Sequence, residues 1–302
     1  MSEPRDRSLL LRVPRPLWLA LLTVVLVAAS IGARIAIPAH RRSVAIGEIE
    51  RVGGSFDTTP AGSDWLQRLA AFAGLKGFDP VWYINLTKVE RSNPEKIHWS
   101  EWRDLTLLTI AMTPIEDSDL EQISKLDQLT TLTLYSTQVT CAGLKRLEAL
   151  PRLVQLDLAS AAFDDDALAQ LAKLTHLQTL TVYAGRATDD GLAHISGLTD
   201  LEALALPGPG FTGAGMAHLR PLVKIKALDL SLSGITDDGL DELKSLPALE
   251  DLGLEQTQVT DACLSHLVEF PKLNSLKLYG SKVTNEGLAE IKKALPGVHV
   301  TN

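Results

Sequence analysis

The sequence predicts an α/β solenoid, a right-handed horseshoe with parallel β-strands on its concave face and helices on its convex face. Three observations carry this. Apolar residues return at a constant spacing of 24 residues from Leu105 to Leu273. Within each unit two periods coexist, strand-like alternation first and helical spacing after it. Hydroxyl and acidic side chains recur at the junction between the two, where a helix would begin.

Taken from the N-terminus, residues 1–15 form a basic tail. Residues 16–33 (PLWLALLTVVLVAASIGA) then run without a charge between Arg15 and Arg34. Eighteen such residues reach the length of a membrane-spanning helix, about 20 being typical, with Trp18 placed as an interfacial aromatic. The segment is read as an uncleaved anchor with the N-terminus inside, so that the body lies outside the cytoplasm. The alternative is a signal peptide cut before Ser30, which exports the body to the same side and leaves it secreted or periplasmic.

Seven of the 29 basic residues and two of the 37 acidic ones fall in the first 42 positions, leaving 22 against 35 and a net of −13 for the rest. A body that acidic repels phosphate backbones and anionic head groups, so nucleic acid is not an expected partner.

Residues 34–80 read as linker and N-terminal cap. Val44 to Val52 has helical patterning, Gly53-Gly54 breaks it, and Asp64-Trp-Leu-Gln-Arg-Leu resumes a capped amphipathic helix.

Residues 81–296 hold the repeats, one degenerate unit starting at Val81 and eight clear ones starting at Leu105, Leu129, Leu153, Leu177, Leu201, Ile225, Leu249 and Leu273. Counting each start as position 1, apolar residues at 4 and 6 describe a strand with one buried face. Those at 16, 19 and 22 describe a helix. A single unit cannot bury its apolar stripe, but stacked neighbours close a continuous core. Position 12 is Thr140, Thr188, Thr212, Thr236, Thr260 or Thr284 in six units, usually followed by Asp or Asn. The expectation is that each caps its own helix, accepting from free N–H groups of the first turn. Ala294-Leu-Pro-Gly-Val-His-Val reads as a last strand, out of phase by one residue, with 297–302 as C-terminal cap.

Units such as SGITDDGLDELKSLP (233–247) and TQVTDACLSHLVEFP (257–271) resemble leucine-rich repeats of the cysteine-containing and GALA-like types, in a bacterial-type arrangement behind an N-terminal membrane anchor. The resemblance covers residues 81–296. It implies a leucine-rich-repeat solenoid and a binding scaffold, without catalysis and without a small-molecule cofactor. Some members of that family serve as substrate receptors in ubiquitin ligases. A passive structural or envelope-assembly element is the other reading.

In such a solenoid the outward strand positions 3, 5 and 7 line the concave face. Position 7 supplies Tyr135, Tyr183 and Tyr279, and position 5 supplies Thr133, Asp157, Thr181 and Asp229. Tyrosine presents a large amphipathic surface with little side-chain entropy to lose. Tyr135 and Tyr183, two strands and roughly 10 Å apart, are the leading contact candidates. A small, mildly acidic trough points to a protein or peptide ligand.

Other patterns carry less. His98, His194, His218 and His266 share position 18, and two neighbouring imidazoles do not make a metal site. The acidic run at Asp164–Asp166 with Asp189 and Asp190 is expected to serve helix starts rather than calcium. Gly208-Pro-Gly210-Phe-Thr-Gly213 matches a dinucleotide fingerprint but occupies ordinary repeat slots, and Pro209 has no N–H to offer a phosphate. Asn85-Leu-Thr87 is a glycosylation sequon. Cys141 and Cys263 lie five repeats apart, roughly 24 Å at one strand spacing per repeat, too far for a disulfide.

Overall fold

The computed structural model describes residues 40–58, 81–88 and 97–302. The apolar segment 16–33 and the helix expected at Asp64 lie outside the described residues. Among the described residues no helix is long and apolar enough to cross a membrane.

Eleven strands stack in chain order into one sheet: β1 (Ser55–Thr58), β2 (Val81–Thr87), β3 (Leu107–Ala111), β4 (Thr131–Tyr135), β5 (Gln155–Ser160) and β6 (Thr179–Ala184), then β7 (Ala203–Ala205), β8 (Ala227–Asp229), β9 (Asp251–Gly253), β10 (Ser275–Lys277) and β11 (His299–Thr301). From β2 onward all pairings are parallel and in strict 24-residue register, Leu132 beside Leu156 and Leu156 beside Leu180. Position 2 carbonyls knit the units together. The oxygen of Thr106, for example, accepts from the N–H groups of both Thr130 and Thr131.

The two periods of the unit become two layers. Side chains at positions 4 and 6, such as Leu156, Leu158, Leu252 and Leu254, point inward and are buried. The residues at 16 and 19 meet them from the other side, as Leu168 with Leu171 and Leu240 with Leu243. Full burial of each such leucine contributes about 1.5–3 kcal/mol, and the stacked units make one core rather than nine. The convex segments are short. Asp117–Ile123, Asp165–Leu171 and Asp189–Ile195 are α-helical. Gly213–Leu219 tightens to a 3-10 helix, with two glycines in its first turn where helix propensity is low.

Helix starts differ from expectation in a specific way. The threonines at position 12 do sit at helix N-caps, yet their hydroxyls chiefly serve the preceding repeat. The Asp117 carboxylate accepts from the N–H and the hydroxyl of Thr140, at 2.9 and 2.6 Å. The same pair of bonds joins Asp165 to Thr188, Asp189 to Thr212, Asp237 to Thr260 and Asp261 to Thr284. Only Thr212, Thr260 and Thr284 also accept from their own first turn. Glycine at position 15 makes room for the aspartate: a Cβ on Gly143 would fall 2.1 Å from Asp117 Oδ1, and one on Gly191 would fall 2.3 Å from Asp165 Oδ1. The ladder changes hands twice. Cys141 Sγ donates to Asp164 at 3.4 Å, and Gly213 lies against Gly239, whose Cβ would come 2.6 Å from the Gly213 Cα.

At the N-terminal end residues 40–51 are helical and bury Ala45, Ile46 and Ile49 against the first unit. Arg42 pairs with Asp104 at 2.7 Å and His98 with Glu48 at 3.0 Å, tying this helix to the repeats. The chain then reverses through Gly53 (φ 83°) into β1, an antiparallel edge strand absent from the sequence-based expectation. At the other end β11 keeps phase. Val300 stands beside Leu276, 24 residues earlier, so the one-residue shift expected there does not occur.

Candidate functional site

The concave face is built by strand parity. With positions 4 and 6 buried, side chains at 3, 5 and 7 must stand on the opposite side of the sheet. Register fixes their neighbours: Thr133 lies beside Asp157 and Asp157 beside Thr181, while Ala159 separates Tyr135 from Tyr183. Thr133 donates to Asp157 Oδ2 at 3.3 Å and Gln155 Nε2 donates to the same oxygen at 3.1 Å. The tyrosines differ. Tyr183 is 41% exposed and Tyr279 62%, whereas Tyr135 is half-buried. Burial, and then the Asp157 carboxylate, push the Tyr135 phenol above its ordinary pKa.

Over β6–β10 the face narrows to small side chains, Ala203, Ala205, Ala227 and Gly253, and a shallow depression of about 150 Å³ opens there. Thr179 and Thr181 line one end, Lys277 the other, with Asp229 and Asp251 between them. Asp229 is held in place, its Oδ1 accepting from the Ser231 N–H at 2.9 Å and the Ser231 hydroxyl at 2.5 Å. That oxygen leans over the next strand, where a Cβ on Gly253 would lie 2.5 Å away.

One row of contact candidates escaped the parity argument. At position 8 the chain leaves the sheet, and Lys88, Met112, Ser136, Leu232 and Gln256 take positive φ angles of 50–64°. The reason is lateral bonding: the Leu232 N–H still donates to the Glu255 carbonyl at 2.8 Å while the chain turns away, and Met112, Ser136 and Gln256 repeat this. The turn projects side chains outward along the rim, leaving Met112 54% and Leu232 41% exposed. A long apolar residue in left-handed backbone has no local sequence signature: position 8 is glycine at Gly208 and Gly280, and of these Gly280 alone takes a positive φ.

The remaining candidates take structural places. His266 Nδ1 lies 2.7 Å from Asp241 and His98 pairs with Glu48. Among the described residues no group of three or more His, Cys, Asp or Glu could hold a metal ion. Asp165 and Asp189 are engaged by Thr188 and Thr212. The Gly208–Gly213 stretch is a packed turn in which Phe211 is buried and a Cβ on Gly210 would lie 2.0 Å from the Ala187 carbonyl oxygen. Asn85 lies in β2 and accepts from the Thr87 hydroxyl at 2.5 Å. Both cysteines are free thiols.

Residues 103–289 match the family model for the leucine-rich repeat region, and the chain belongs to that family. Among solved structures it is similar to an internalin (inlF) of Listeria monocytogenes, with 21% identity, a TM-score of 0.50, and coverage of 67% of this chain and 55% of that one. An internalin C2 of the same organism gives 20% identity and a TM-score of 0.49 over 67% of this chain and 84% of that one. A leucine-rich-repeat protein of Leptospira interrogans gives 18% and 0.48 over 72% and 59%. The chain thus spans little more than half of the first internalin, and at these identities the likeness shows the α/β solenoid fold alone. No curated protein matches the chain by sequence.

Proposed function

We propose that this chain is a non-catalytic scaffold that binds a protein or peptide on its concave sheet face, with the repeat domain held outside the cytoplasm by residues 16–33. One observation carries the binding reading. Most side chains at positions 3, 5 and 7 are left out of the core, Ala111 and Ser231 being buried exceptions, and Tyr183 and Tyr279 stand exposed on that face. Exposed aromatic area beside half-buried Asp157 and Asp229 is the composition of a recognition surface rather than of a spacer. Membership of a family of interaction scaffolds supports the same reading.

The test is a crosslinking pull-down from native membranes, comparing the full chain with the same chain carrying Tyr135→Lys and Tyr183→Lys. A partner captured by the first and lost by the second supports the concave-face scaffold. A partner retained by both moves the function to the ends and helices, as a structural element. The tether has its own measurement: protease added outside intact cells digests the repeat domain, and complete protection reverses the orientation.

A further inference from the structure

Building on the concave-face reading, we propose that the partner segment presents a lysine or arginine flanked by apolar side chains, its cation lying between Asp229 and Asp251 and its apolar groups on the rim formed by Tyr183, Leu232 and Tyr279.

Charge selects the cation. The outward positions 3, 5 and 7 of β2–β10 carry Asp157, Asp229, Asp251 and Glu255 against the single base Lys277, a net of −3. The depression over β6–β10 places two of these acids together. Ala227 pairs with Asp251 and Asp229 with Gly253, so the two carboxylates stand diagonally on adjacent strands, roughly 8 Å apart at the Cα atoms. Ser231 occupies Asp229 Oδ1, and Oδ2 has no hydrogen-bond partner among the described residues. Asp251 has no ion-pair partner among them either, although Lys277 lines the same depression. The floor of Ala203, Ala205 and Ala227 offers apolar contact for the aliphatic stem of a long basic side chain.

The rim selects what flanks the cation. Tyr183, Leu232 and Tyr279 end β6, β8 and β10 or follow them by a few residues, so they stand on alternate strands just beyond the residues that line the depression, about 10 Å between neighbours and about 20 Å from Tyr183 to Tyr279. Leu232 is the informative member. It combines a positive φ of 64° with 41% exposure, two unfavourable features at a position where Gly280 shows that the fold accepts glycine. As at Met112, the same position of an earlier repeat, exposed apolar area is held there in left-handed backbone, and at Leu232 that area adjoins the acidic depression, where it fits a contact made in a complex.

The experiment selects a phage-displayed library of random nonapeptides on the full chain, with folding of each variant checked by circular dichroism. Enriched peptides are expected to carry Lys or Arg next to apolar residues. Their binding should weaken about tenfold in Asp229→Asn/Asp251→Asn, the loss of two partly exposed ion pairs, and comparably in Leu232→Ser. The helix-face control Asp238→Asn/Glu286→Gln should leave binding unchanged. Acidic or uncharged winners, or binding indifferent to Asp229 and Asp251 yet abolished by Tyr135→Lys/Tyr183→Lys, overturn the cation proposal and leave the concave-face reading standing. Binding indifferent to every concave substitution, or no enrichment at all, overturns the proposal, and the first of these overturns the concave-face reading with it.

Discussion

The carboxylate of Asp189 grips Thr212 of the next repeat twice, accepting from its backbone N–H at 2.7 Å and from its hydroxyl at 2.5 Å. The bonds satisfy a helix-start donor with a charged acceptor, and they join helices whose strands are already joined. Asp189→Ala is therefore expected to lower unfolding free energy by about 1–3 kcal/mol. Asp190→Ala, one residue on and without such a partner, should stay within about 0.5 kcal/mol of wild type. Denaturant titration of both variants measures the difference.

The ladder also explains its glycines. A Cβ on Gly191 would lie 2.3 Å from Asp165 Oδ1, so Gly191→Ala displaces the carboxylate that holds Thr188. We expect it to cost about 1–3 kcal/mol, although alanine is the better helix former. In an Asp165→Ala background the same substitution should cost less, because the carboxylate clash has gone and only the 2.8 Å approach to the end of the Leu168 side chain remains. The double-mutant cycle reads this as a coupling above about 0.5 kcal/mol, and strict additivity would remove the steric account.

The buried layers were legible in the sequence because both periods leave a trace in one chain: Leu252 and Leu254 alternate, while Leu240 and Leu243 step by a helical turn. The threonine–aspartate pattern was legible too, but its partner was not. Adjacent residues such as Thr188 and Asp189 read as a local cap, whereas the bond to Thr188 comes from Asp165, 23 residues earlier. Strand β1 gave no signal, since Ser55–Thr58 owes its conformation to the antiparallel partner Val81–Thr87. At the candidate site, parity located Tyr135, Tyr183 and Asp229, which lie inside strands or directly beyond them. It missed Met112 and Leu232, because alternation stops where the chain turns off the sheet and nothing local reports a positive φ in a non-glycine residue.

Two leucines in neighbouring repeats separate core from surface. Leu252 is 1% exposed at position 4 of its repeat, and Leu252→Ala is expected to cost about 2–5 kcal/mol. Leu232 is 41% exposed with φ at 64°, so Leu232→Gly trades lost apolar contact and added chain entropy against released backbone strain. Its unfolding free energy should stay within about 1 kcal/mol of wild type. Thermal or urea unfolding that ranked the two substitutions the other way would remove the register assigned to both.

The cysteines respond to pH with a definite sign. Cys263 is fully buried, and burial followed by the nearby Asp237 and Asp261 carboxylates pushes its thiol up to about 12. Cys141 is raised as well, by burial and by the hydrogen bond it donates to Asp164. An unfolded thiol ionises near 8.5, so between that pH and about 12 the unfolded chain loses the Cys263 proton first. The stability held by the neutral thiol is whole below about pH 8.5 and drains away as pH rises toward 12. Cys263→Ala should accordingly flatten the fall of the urea midpoint above pH 8.5, whatever it costs at neutral pH. Iodoacetamide at pH 8 should label Cys263 only on unfolding, and labelling in the native protein at the rate of a free thiol would contradict the buried, protonated assignment.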